Sequence, residues 1–267
     1  ALTELLGDKV EFDEQNASGD SATCITIVNG FVSANVDLIM ANATPALQAA
    51  VAATGDIPIL GTSVTDYGSA LDISDWTGTT GFNVSGTSDL APLDGQAAMV
   101  KDLFPDAKEI GLLYCSAEAN SLYQVKVIAE ELKALGYNTT EYAFTDSNDV
   151  SSVTTNACAS SDVIYIPTDN TAASCTEAIR NVVETEKVPV VAGEEGLCAG
   201  CGVATLSISY YDLGVATGKM AYEILVNGAD VSTMPVEVAP QFTKEYNPEM
   251  AELFGLTLPE DYVAIAG

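Results

Sequence analysis

Histidine is absent from this 267-residue chain, and arginine occurs once, at Arg180. Without imidazole there is no usual general base, no commonest metal ligand and no Ser-His-Asp arrangement. A single arginine within a helical stretch argues against a bidentate guanidinium clamp, so an anionic ligand group would rest on hydroxyls, backbone N–H groups and helix N-termini. Bases are few altogether: nine Lys and Arg stand against 38 Asp and Glu, a net charge of −29. Such a surface repels phosphate backbones and anionic lipid headgroups, so nucleic acid is not an expected partner. No apolar run approaches the roughly 18 residues of a membrane span, and no signal-peptide or lipidation segment is visible. No Walker-type phosphate loop occurs either; Gly81-Phe82-Asn83-Val84-Ser85-Gly86 reads as a turn and strand, with no GK[ST] after it.

What is present suits a globular protein with two cores. Hydrophobic residues make up 48% of the chain and charged residues 18%, and the length accommodates two lobes of ordinary domain size. Six cysteines permit disulfides without requiring them. Cys198-Ala-Gly-Cys201 has the spacing of a thiol-redox pair or half a zinc site. A full zinc site needs four ligands, and neither histidine nor a second close pair supplies the rest. The favoured reading is a Gly-rich loop with two small buriable side chains; no metal and no cofactor are expected.

Strand and helix signals alternate along the chain. Residues 36–40 and 57–60 are apolar strand runs, separated by an Ala-rich helix whose start, Thr44-Pro45, reads as N-cap and first helical residue. An amphipathic helix over 93–104 stops at Pro105, residues 110–114 form a strand, and a helix over 122–135 ends at Gly136. Strands follow at 163–166 and 188–191, with a helix between them to about residue 186. This order predicts parallel sheets covered on both faces. Asp37-Leu38-Ile39 through Thr44-Pro45-Ala46 to Ile57-Pro58-Ile59 is echoed by Asp162-Val163-Ile164 through Thr171-Ala172 to Val188-Pro189-Val190, as two lobes built alike would require. The opening Ala1-Leu2-Thr3-Glu4-Leu5-Leu6-Gly7 reads as the end of a helix, so a first strand and most of its helix are expected to precede it.

Ligands of open parallel sheets bind beyond the carboxyl ends of the strands. There the first half offers Asn42, Thr44, Thr62, Ser63, Thr65 and Asp66. The second half offers Ser116, Glu118, Asn120, Thr168, Asp169, Asn170, Glu194 and Glu195. Hydroxyls beside helix starts suit a carboxylate; carboxylates and amides suit an ammonium group. The pattern fits a small zwitterion such as an amino acid held in a cleft between two halves. Each acid taken singly also reads as a helix cap or a solvated loop residue. Catalysis has little support, since the thiols have no imidazole to activate them.

The segments Ala43-Thr44-Pro45-Ala46, Asn83-Val84-Ser85-Gly86-Thr87-Ser88-Asp89, Ile110-Gly111-Leu112-Leu113-Tyr114, Ile166-Pro167-Thr168-Asp169-Asn170-Thr171, Ala192-Gly193-Glu194 and Tyr211-Asp212-Leu213-Gly214-Val215-Ala216-Thr217-Gly218-Lys219-Met220 run in one order along nearly the whole chain. In that order they resemble the ABC-transporter substrate-binding family that includes tryptophan/tyrosine-binding lipoproteins. The resemblance implies a type I periplasmic-binding-protein fold: two Rossmann-like α/β lobes with parallel sheets, joined by a three-segment hinge that closes on ligand. It places lobe one at 1–86 plus 206–236 and lobe two at 87–205 plus 237–267, with crossings near Gly86, at 205–209 and at 235–242. By analogy, Thr44 and the Thr62, Ser63 and Thr65 loop take the ligand carboxylate. Asp89, beside Ser88 and just past the first crossing, takes the ammonium, with Glu194 or Asp169 as a second acid and Asn120 and Asn170 nearby. Tyr67, Phe82 or Tyr211 supply aromatic walls, or else ordinary packing. The resemblance further implies an extracytoplasmic, non-catalytic monomer, periplasmic or lipid-anchored, that hands an (aromatic) amino acid to a membrane permease. A sugar or nucleoside ligand, or a sensory role for the same fold, are the alternatives. Asp66-Tyr67 departs from the Asp-Pro usual in the family.

Overall fold

The computed structural model describes residues 1–239 and 241–265. Contacts divide the chain into two units, Ala1–Leu90 with Ser209–Pro240, and Ala91–Ile208 with Gln241–Gly267.

In the first unit, strands β1 (Ile39–Asn42), β2 (Ile59–Val64) and β3 (Val84–Ser88) lie side by side, with the short strand Glu237–Val238 at the edge, all parallel. Strands β1 and β2 start three and two residues later than the sequence suggests, and β2 continues through Gly61-Thr62-Ser63 to Val64. Alternate side chains of a strand point to opposite faces. Ile59 therefore packs with Leu47, Ala50 and Val84 on one face, while Leu60 packs with Met220 and Ala221 of the helix Tyr210–Leu225 on the other. Each such fully buried aliphatic side chain contributes about 1.5–3 kcal/mol. The helix Ser21–Ala34, which the sequence reading did not single out, is capped by Asp20, whose carboxylate accepts from Thr23 N–H at 2.7 Å.

Two glycines permit one close approach in this sheet. Gly61 of β2 pairs with Gly86 of β3, and the Tyr67 hydroxyl lies where a Cβ on either would sit, 2.3 and 2.4 Å away. A Cβ on Gly86 would also meet the Gly61 carbonyl oxygen at 2.0 Å, and its φ of +145° is one that side chains avoid. Tyr67 thereby reaches the Thr87 carbonyl at 3.2 Å and stacks on Trp76 with ring centroids 6.1 Å apart.

The second unit holds β4 (Glu109–Cys115), β5 (Asn138–Phe144), β6 (Val163–Ile166), β7 (Val190–Ala192) and β8 (Ala204–Ser207). From one edge the order is β5, β4, β6, β7, β8, then Thr243–Tyr246 and Val263–Ala264. All neighbours are parallel except β8 with Thr243–Tyr246. Every residue of β6 and β7 is buried, as a central parallel strand covered on both faces requires. Both echoed stretches of sequence fold as parallel strand–helix–strand units, β1 to β2 and β6 to β7.

The first change of unit follows Leu90. Strand β3 runs on to Ser88, and Asp89 N–H donates to Val64 O at 3.2 Å, which ties both residues to the first unit. The other changes of unit follow Ile208 and Pro240, and Pro240 itself lies outside the described residues.

Candidate ligand-binding site

The carboxyl ends of β1, β2 and β3 collect most of the residues expected on the first half. Thr44, Thr62, Thr65, Ser88 and Asp89 are all buried and Ser63 is half-buried. Thr44 is the first helical residue rather than the cap. Ala43 holds the cap position at φ 76°, without a side-chain capping bond. The cause is local: Ala43 N–H is still paired to Thr62 O at 3.0 Å, so the chain turns sharply into the helix Thr44–Ala53. Ser63, at the bulge in β2, also has a left-handed φ, of 52°. Non-glycine residues in such conformations cost on the order of 1–3 kcal/mol each and cluster where a site is held in shape. Beneath them the Thr87 hydroxyl bonds those of Thr62 (3.3 Å) and Thr217 (2.9 Å), and Ser88 Oγ donates to Thr65 O at 2.8 Å.

Asp89 differs from every other buried acid of the chain. It is 4% exposed. Its Oδ2 accepts from the Tyr210 hydroxyl at 3.2 Å, while Oδ1 is buried without a hydrogen-bond partner among the described residues. Burial raises its pKa from 3.8 to about 6, against the pull of the nearby Thr65 and Tyr210 hydroxyls and its own N–H dipole. An unpartnered buried carboxylate oxygen carries a desolvation cost of a few kcal/mol that a cationic donor would relieve.

In the second unit the expected acids are consumed by the fold. Asp169 caps the helix Asn170–Ser174: Oδ1 accepts from Ala172 N–H at 2.7 Å, and Oδ2 accepts from Cys115 N–H at 2.6 Å and Ser121 Oγ at 2.7 Å. Burial, then the nearby Glu118, raise its acid constant. Glu194 caps the helix Glu195–Cys201, accepting from Gly196 and Leu197 N–H. The sequence reading offered Asp169 or Glu194 as a second acid for the ligand; the structure places both carboxylates on backbone amides, because each stands two or three residues before the N–H groups that open a helix. Glu118, one of the polar residues expected at the strand ends of this half, is the hub of this edge. It accepts from Asn120 Nδ2, from Asn170 N–H and Nδ2, and from Thr171 N–H and Oγ1. Asn120 is 2% exposed and gives its Nδ2 also to Thr168 O at 3.0 Å, which leaves Oδ1 as a buried acceptor with no partner. Asn170 is exposed.

The aromatic expectations divide. Tyr67 is core, under the paired glycines, and Phe82 packs against the same core. Tyr211 is 80% exposed; its neighbour Tyr210 reaches Asp89 instead. Helical spacing contained the signal, since Tyr210, Leu213 and Thr217 share one stripe and the last two are buried. The six cysteines are free thiols. Cys198 and Cys201 are fully buried, and burial pushes the Cys201 thiol to about 12 and Cys198 well above the usual thiol range, the opposite of a reactive redox pair. Among the described residues no group of three or more His, Cys, Asp or Glu is placed to hold a metal ion, and no helix is long and apolar enough to cross a membrane.

Residues 4–267 match the family model of ABC transporter substrate binding proteins. The chain belongs to that family. Among its relatives, a tyrosine-binding protein of Clostridioides difficile strain R20291 is 38% identical over 230 residues, covering 86% of this chain and 66% of the relative, a little under two thirds of its length. A crystal structure of an ABC domain from Streptococcus pneumonia in complex with L-Trp is 33% identical and superposes with a TM-score of 0.90 over 95% of this chain and 85% of that one. A conserved domain protein from Vibrio cholerae, also 33% identical, gives 0.91 over 97% and 88%. Both neighbours share the two-lobed α/β architecture with parallel sheets described above. The substrate-binding assignment accords with a chain whose strand ends carry buried acceptors and lack an imidazole-activated nucleophile.

Proposed function

We propose that this protein is the extracytoplasmic solute-binding component of an ABC importer, and that it binds an amino acid, with aromatic side chains favoured, without chemically altering it. The observation that carries this reading is the Asp89 carboxylate, buried at 4% exposure and with Oδ1 unpartnered. An α-ammonium group donates three hydrogen bonds and one positive charge, the complement of such an oxygen. The strained turn at Ala43, the start of the helix Thr44–Ala53 and the loop through Ser63 are the groups assigned to the α-carboxylate, which free N–H groups and hydroxyls would hold. The aromatic preference is supported by the tyrosine-binding relative and by the neighbour that holds L-Trp. The reading extends to a monomer, tethered outside the cytoplasm or periplasmic, that delivers its ligand to a membrane permease; family membership supports the extracytoplasmic location and the permease partner.

Isothermal titration calorimetry of the whole protein with L-tryptophan and L-tyrosine tests the assignment. Asp89→Ala and Asp89→Asn remove the counter-charge of a buried ammonium. That is a loss of about 3–5 kcal/mol, or more than 100-fold in Kd, with the far-UV spectrum retained. Unchanged affinity in either variant takes Asp89 out of the site and with it this reading.

A further inference from the structure

Tyr210 sits on the first turn of the helix Tyr210–Leu225, which covers the face of the first sheet that carries Leu60. Its hydroxyl lies 3.2 Å from Asp89 Oδ2, whereas Oδ1 of the same carboxylate has no partner among the described residues. A carboxylate held by one oxygen loses rotational freedom about its last torsion, and the other oxygen keeps one direction. We propose that Tyr210 is a positioning residue for ligand binding: by donating to Asp89 Oδ2 it fixes the carboxylate and presents Oδ1 to the ligand's cationic group. The proposal rests on the reading of Asp89 as the ammonium anchor.

The electrostatic surroundings are simple. Two titratable groups face Asp89, Tyr67 from the short helix after β2 and Tyr210 from the long helix. The Tyr67 hydroxyl is spent on Thr87 O, and burial drives its acid constant far above the working range, so it stays neutral. Among the described residues no charged side chain shifts Asp89. Desolvation pushes the carboxyl towards its neutral form, and the nearby Thr65 hydroxyl and the Tyr210 hydroxyl bond oppose it. Removing the Tyr210 hydroxyl therefore shifts the protonation midpoint of Asp89 upward, and ammonium binding, which needs the ionised form, fails at a higher pH.

Two measurements on the full chain test this. The first is titration of the Asp89 side-chain carbonyl by carbon-13 NMR in the free protein, for the wild type and Tyr210→Phe. The second is the pH profile of L-tryptophan and L-tyrosine affinity by calorimetry between pH 5 and 8, for the same pair and for Asp89→Asn. Tyr210→Phe is expected to raise the Asp89 midpoint, to weaken binding about tenfold at pH 7, the size of one hydrogen bond to a charged group, and to move the acid limb of the affinity profile up in parallel. A wild-type midpoint in Tyr210→Phe overturns the proposal, and so does weaker binding with an unmoved acid limb, which is what a merely structural tyrosine would give. Site-specific difluorotyrosine at position 210, a stronger donor of the same shape, should move the midpoint down; no movement overturns the proposal even if Tyr210→Phe fails to fold. If Tyr210→Phe moves the midpoint but Asp89→Asn binds as the wild type does, or the wild type binds neither amino acid, the anchor reading fails instead, and the positioning role fails with it.

Discussion

Asp89→Asn should make the free protein more stable at neutral pH while it removes ligand binding. Asp89 is buried and its acid constant rises from 3.8 to about 6, chiefly through desolvation. At 1.36 kcal/mol for each tenfold change, that difference corresponds to a cost of about 3 kcal/mol for keeping the carboxylate ionised in the folded state. The sign is the reverse of the usual salt-bridged acid. The folded protein binds the proton more tightly than the unfolded chain, so stability is greatest below about pH 4, declines as pH rises towards 6, and stays reduced above it. Asparagine has the same shape and no charge to desolvate. The stability gain of Asp89→Asn over the wild type should therefore be about 3 kcal/mol at pH 7.5 and about 1 kcal/mol at pH 4.5, where the folded carboxyl is already protonated and the unfolded one is mostly not. Urea and thermal unfolding of both proteins without ligand at the two pH values measure this. Comparing the pair cancels Asp169, whose constant is raised in the same direction. A pH-independent difference, or an asparagine variant less stable than the wild type at pH 7.5, would refute the claim that the site carries an uncompensated charge. Saturating L-tryptophan should reverse the order at pH 7.5, because ligand stabilises only the protein that binds it.

Two further outcomes follow from the packing. Gly86→Ala drives a Cβ to 2.0 Å from the Gly61 carbonyl oxygen at a φ of +145°; it should destabilise the first unit by about 3 kcal/mol or more, read as a lower urea midpoint, and Tyr67→Phe should not rescue it, since the nearest clash is with backbone. Asp169→Ala leaves Cys115 N–H, Ala172 N–H and the Ser121 hydroxyl without their acceptor, a loss of about 2–4 kcal/mol; affinity for L-tryptophan in the folded fraction should change far less than in Asp89→Ala, and an equal loss in both would return Asp169 to the ligand.

The architecture was legible because its signals are local. An apolar run too short for a helix, a capping residue and an Ala-rich or amphipathic stretch follow one another in both halves, and the order of such elements dictates parallel sheets wherever consecutive strands must be linked by helices. The polar residues that end those strands were equally visible, since Thr44, Thr62, Asp89, Asp169 and Glu194 lie just beyond apolar runs. Sequence could not rank them. An acid after a strand reads the same whether it caps a helix or waits for a ligand. The distinction depends on whether N–H groups come within reach: Asp169 and Glu194 meet theirs within three residues, whereas after Asp89 the next helix begins only at Leu93, capped by Pro92.

Composition and periodicity by themselves determined the class of fold, the absence of imidazole chemistry and the end of the sheets where polar groups collect, because each depends on neighbours a few residues apart. Tertiary structure alone decided which carboxylate keeps an unengaged oxygen, that Tyr210 and not Tyr211 touches it, and that β3 carries Asp89 into the first unit. Those outcomes depend on hydrogen bonds between residues as much as 121 positions apart, and on a desolvation that exists only in the folded chain.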